Sequence, residues 1–174
     1  MNLRIGLLVC LFVAVSAAYV AAQDKPVCSL LTTSEVSGAL GSSKAGIETE
    51  MAPPGAPKGT TVKLCSWPLL NATGGLYLSA SRIPPTVSFD SLVAQSFQQY
   101  DQLKTQGWTE EKKDFGVVKC LAVKPPAGQP DAPLTTSCMA QGKGRFFGAT
   151  TMTKTPVAME KVKALIDSAM ARVP

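Results

Sequence analysis

The chain contains no histidine at all. That absence removes Ser-His-Asp and Cys-His catalysis, histidine-ligated zinc, copper or haem, and the usual proton shuttle near neutral pH. Aromatic residues make up only 6% and are not interleaved with basic ones, so the base-stacking platforms of nucleic-acid binders are missing. Charged residues are also sparse, at 17%, and no basic run offers a handle for an anionic polymer or a membrane surface. There is no C-x-x-C for thiol exchange and no C-x-x-C-H for haem attachment. "GSSKAG" (41–46) matches neither G-x-S-x-G nor a phosphate-binding loop, and "GKGRFFG" (142–148) lacks the G-x-G-x-x-G spacing.

Acid/base chemistry would therefore have to rest on carboxylates or lysine. The candidates are Glu48 and Glu50 in a loop, and Glu110 and Glu111 with Asp114 in a charged turn. They define one alternative, a carboxylate-dependent hydrolase acting in the envelope. Met139, Met152, Met159 and Met170 are expected as core filler rather than Cu(I) ligands, since no histidine accompanies them. No catalytic residue, cofactor or metal site is assigned.

What is present begins with "MNLRIGLLVCLFVAVSAAYVAAQDK": Arg4, an apolar run from Ile5 to Val20, and small residues at Ala21-Ala22. This pattern predicts a secretory signal peptide over 1–22, with the domain at 23–174. Val9 precedes Cys10 and polar "QDKP" separates Cys28 from the apolar run, so neither cysteine has the setting of an acylated one. A secreted or periplasmic protein with no stable membrane insertion is expected. Removing Arg4 from the 17 basic side chains leaves a formal charge of +4 against 12 acidic ones.

Within the domain, Thr32 and Glu35 have capping-box spacing, Leu31 and Val36 can staple, and Gly41 can close a short helix. Residues 42–60 are rich in Pro and Gly and predict a long loop, with one short strand near Ile47. Residues 61–70 and 74–83 alternate as a hairpin around "NATGG", whose Asn71 is a glycosylation sequon on a surface turn. Phe89, Leu92, Val93, Phe97, Tyr100 and Leu103 recur at helical spacing between Ser88 as cap and Gly107 as stop. Three strands follow at 115–124, 134–142 and 145–154, the last two joined through Gly142-Lys143-Gly144. Thr155 and Pro156 then open a helix whose Val162, Leu165, Ile166, Ala169 and Val173 share a face. Trp67 and Trp108 are expected in the core or at a cleft edge. The order α-β-β-α-β-β-β-α predicts an α+β fold, an antiparallel sheet flanked by helices.

Without Cys10 the domain has four cysteines, an even number that predicts two disulfides in an oxidising compartment. A hairpin loop centred on Gln129 sets Cys120 directly opposite Cys138, each nine residues away, within bridging distance. Cys28 and Cys65 are then left to pair, closing the long loop.

"CSLLTTSEVSGALG", "LCSW", "FDSLVAQSFQQY", "FGVVKCLAV" and "SCMAQGKGRFFGATT" together resemble small exported bacterial envelope proteins and lipoproteins of unknown function. They are also similar to the extracellular sensor domains of bacterial receptor kinases. The resemblance implies a PsbP-like α/β/α sandwich and a binding or accessory role, with a groove beside the sheet as the site. It brings no catalytic residues. The expected function is a non-enzymatic secreted or periplasmic domain that binds a small ligand, an envelope component or a protein; a structural subunit of an exocellular assembly is a further alternative.

Overall fold

The computed structural model describes residues 25–51, 62–70, 72–82 and 88–173. The signal-peptide expectation, Cys10 and the Asn71 sequon lie outside them. After a 3-10 turn at Val27–Leu30 come α1 (Thr33–Leu40), then β1 (Ile47–Met51), β2 (Val62–Pro68) and β3 (Gly75–Arg82). Helix α2 (Phe89–Lys104) leads to β4 (Thr109–Asp114), β5 (Val118–Lys124), β6 (Leu134–Gly142) and β7 (Arg145–Thr153), and α3 (Met159–Arg172) is the last described element. The strands form one sheet in the order β1-β2-β3-β7-β6-β5-β4, every neighbouring pair antiparallel.

Alternation along the central strands divides the core into two layers. Leu76, Leu78, Cys138, Ala140, Phe147 and Ala149 point to one face, where Val162, Leu165, Ile166 and Ala169 of α3 cover them together with the 3-10 turn and α1. Leu121, Val123, Met139 and Phe146 point to the other, beneath Leu92, Val93, Phe97, Tyr100 and Leu103 of α2. Neighbours such as Cys138 and Met139 thus serve opposite layers, which gives an α+β sandwich. Trp67 is buried in the first layer and Trp108 packs half-buried against the second. Met139 and Met159 are core residues, and Met170 packs against the core.

The sheet has two strands more than five. β1 is the strand expected near Ile47, and its polar sequence at the sheet edge explains its weak signal. β4 corrects the reading of Glu110, Glu111 and Asp114 as a turn. Its sequence, "TEEKKD", contains no apolar residue, so hydrophobic alternation cannot show it. An edge strand buries little, and charge on it discourages pairing with another sheet. A second correction concerns α3, which starts at Met159 with Ala158 as N-cap rather than at Thr155 and Pro156. Side chains keep the preceding residues out of the helix: Thr153 Oγ1 donates to the Thr155 carbonyl (2.7 Å) across a bend and Thr136 Oγ1 to that of Val157 (2.8 Å). Ser88 caps α2 as expected, while the helix ends at Lys104, before Gly107.

Both disulfides have the expected partners. Cys120 and Cys138 are directly opposed in the β5–β6 ladder, with Cα atoms 4.1 Å apart, and Cys28 joins Cys65 at 5.0 Å. The turn between β2 and β3 requires glycine: Gly74 has φ +102°, and a Cβ there would lie 1.8 Å from the Met152 carbonyl oxygen.

The first and last helices of the described residues meet at Glu35. Thr32 Oγ1 accepts from the Glu35 N–H, while the Thr32 N–H donates to Glu35 Oε2 at 2.8 Å, completing the capping box. Arg172 grips the same carboxylate with both Nη atoms at 2.8 Å and also donates to the Leu30 carbonyl. Arg172 foremost, with the Thr32 bonds, overcomes burial and lowers the Glu35 pKa from 4.5 to about 2. The contribution is complete above about pH 4.5 and disappears as pH falls toward 2.

Three measurements follow. Replacing Cys28 and Cys65 together by alanine removes a closure of 37 residues, about 4 kcal/mol in the chain-entropy account, and should lower the melting temperature by roughly 10 °C. Losing the shorter closure at Cys120–Cys138 should cost about 3 kcal/mol by the same account. Glu35→Gln should cost about 1–2 kcal/mol at neutral pH and flatten the loss of stability between pH 4.5 and 2; an unchanged acid profile in denaturant titrations would contradict the clasp.

Candidate functional site

Helix α3 packs mainly on β6 and β7, and its first turn meets the sheet at β5 and β6. The face of β4 and the adjoining part of β5 extend beyond it. A groove of about 250 Å³ lies in this margin. Ala122 of β5 and Leu134 and Thr136 of β6 form its floor, and Val157 and Met159 its far wall. The bond from Thr136 to the Val157 carbonyl fixes the distance between floor and wall. Glu111, Lys113, Lys124 and Glu160 form the rim.

The rim charges are of two kinds. Lys113 Nζ reaches across to Glu160 Oε1 at 2.5 Å and lies 5.0 Å from the centre of the Phe115 ring. Lys113, together with the backbone N–H of Glu160 itself, holds the Glu160 carboxyl below the usual range. Glu111 and Lys124 are exposed and make no ion pair among the described residues. Every other charged side chain of β4 and β5 is paired: Lys112 with Glu110, and Lys119 with Asp114 and Asp90. Because Glu111 stands opposite Ala122, it is a diagonal neighbour of Lys124 on the same face.

The five carboxylates singled out in the sequence do not converge. Glu48 and Glu50 lie on β1 and the other three on β4, at opposite edges of the sheet. Six inter-strand spacings separate the edges, about 29 Å, far beyond the separation of a hydrolytic carboxylate pair. Glu48 accepts from the Cys28 N–H, and Lys63 lies between Glu48 (3.9 Å) and Glu50 (3.7 Å). On β4, Glu110 and Asp114 face the α2 layer and Glu111 faces the groove. Burial pushes the Glu110 carboxyl up, but Lys104 at 2.6 Å and Lys112 at 3.1 Å outweigh it and leave its pKa lowered. Asp114 is lowered by Lys119 and by the Gly116 N–H. A general acid needs the opposite shift.

Of the sequence candidates, only Glu111 lines the groove. Lys113, Lys124, Thr136 and Glu160 join it through strand pairing and the start of α3. Alternation in β4 would have separated Glu111 and Lys113 from Glu110 and Lys112, had that strand been recognised. The four disulfide cysteines lie outside the groove lining and are structural. Among the described residues, no group of three or more His, Cys, Asp or Glu side chains is placed to hold a metal ion.

No protein-family model and no curated protein matches the chain.

Carboxyl titration by carbon-detected NMR should place Glu110, Asp114 and Glu160 all below ordinary carboxylates. Lys113→Met should return Glu160 toward the usual value; a raised midpoint at any of the three would revive an acid-catalytic role.

Proposed function

We propose that this is a non-enzymatic, exported accessory domain that binds a small ligand in the groove between β4, β5, β6 and the start of α3. The observation that carries the reading is the groove itself: an apolar floor and wall of Ala122, Leu134, Val157 and Met159 under a rim with both signs of charge. Ligand sites commonly combine apolar area with a few placed polar groups. Two disulfides support export, because such bonds persist in oxidising compartments. No helix among the described residues is long and apolar enough to cross a membrane. The kinship with exported envelope proteins and receptor sensor domains belongs to this same proposal. The hydrolase alternative draws no support from the five carboxylates: Glu48 and Glu50 lie at the opposite sheet edge from the other three, and lysines hold Glu110 and Asp114.

The test is native mass spectrometry of the protein collected from an exporting host, beside Ala122→Phe, which fills the floor. The wild type should carry a small non-covalent adduct that the variant lacks, with the two melting temperatures within a few degrees. An adduct retained by the variant would put the site elsewhere, and a bare chain in both would overturn the reading.

A further inference from the structure

We infer that the groove takes a small zwitterion with an aliphatic chain, of amino-acid or dipeptide size, its ammonium on Glu111 and its carboxylate on Lys124. The inference rests on the groove being the binding site and deepens that reading by naming the ligand class. Size is the first argument. About 250 Å³ falls below the usual range for drug-sized ligands, which suits a molecule with few non-hydrogen atoms.

Charge is the second. Lys113 and Glu160 already neutralise each other across the rim. The remaining two rim charges, Glu111 and Lys124, are one of each sign and have no ion-pair partner among the described residues. They project from adjacent strands on the groove face, displaced by one diagonal step of about 7–8 Å. A zwitterion placed between them gains a charge-assisted hydrogen bond at each end, whereas a ligand with one charge satisfies one end only. Below them, Ala122, Leu134, Val157 and Met159 offer apolar surface to an aliphatic chain. An anionic polymer or phosphate fits poorly, since the four rim charges sum to zero.

Amide-shift titrations of the whole domain with leucine, N-acetyl-leucine and leucine amide test the inference, because these probes share one side chain and differ only in charge. Leucine should shift the amides of Ala122, Lys124 and Glu160 saturably, and each blocked analogue should bind roughly tenfold more weakly. Lys124→Met should weaken leucine while leaving leucine amide unchanged, and Glu111→Gln should weaken leucine while leaving N-acetyl-leucine unchanged. Equal binding of all three, or no shift at these amides with any, would overturn the assignment. If the adduct displaced by Ala122→Phe proves uncharged or singly charged, the groove reading stands and this inference falls. If the adduct survives Ala122→Phe, both fall.

Discussion

One carboxylate, that of Glu35, closes this fold. It completes the capping box of α1 and receives both arms of Arg172 from the last turn of α3, so elements 137 residues apart meet at one side chain. Arg172 also holds the Leu30 carbonyl, and the Lys25 ammonium donates to the Arg172 carbonyl at 3.3 Å. A bidentate pair fixes direction as well as proximity. With its C-terminal turn held there, α3 runs toward β5 and β6, and Met159 is its first residue. Among the described residues no helix covers the groove face of the β4 margin, and the groove lies there because α3 begins at Met159.

The disulfides act on the same layer. Cys28–Cys65 ties the 3-10 turn to β2, while Cys120–Cys138 joins β5 to β6 below α3, where Cys138 Sγ lies 3.8 Å from the Met159 carbonyl. Val27, Leu30 and Leu31 are buried in the cluster that holds Trp67 and the α3 stripe, so the first staple secures core residues as well as a loop. The opposite layer contains no disulfide and relies on the apolar stripe of α2, with Phe89 6.1 Å from Phe146. At its two ends, ion pairs join Asp90 to Lys119 of β5 and Lys104 to Glu110 of β4. The groove thus lies beside the layer stapled twice, on a floor with little freedom to deform.

Features carried by local chemistry were legible in the sequence: the Thr32–Glu35 cap, the Ser88 cap, the apolar stripes of α2 and α3, and the opposition of Cys120 and Cys138 about Gln129. β4 was not, because a strand made of Thr, Glu, Lys and Asp owes its form to β5 and not to its own pattern. The start of α3 was misplaced because Pro156 is a favourable first helical residue, whereas hydrogen bonds from Thr136 and Thr153 keep that segment out of the helix. The site depended on both. Glu111 was visible as a charge, yet its position depends on strand alternation in β4, and Glu160 reaches Lys113 only because α3 begins at Met159.

The central claim is that the groove at the β4 margin of the sheet is a binding site set by charges of both signs. A crystal structure of the domain grown with leucine tests it most directly. The account predicts one molecule in the groove, its ammonium at Glu111, its carboxylate at Lys124 and its side chain against Leu134 and Val157. Leucine bound elsewhere on the domain, or a groove holding only water at saturating leucine, would contradict it.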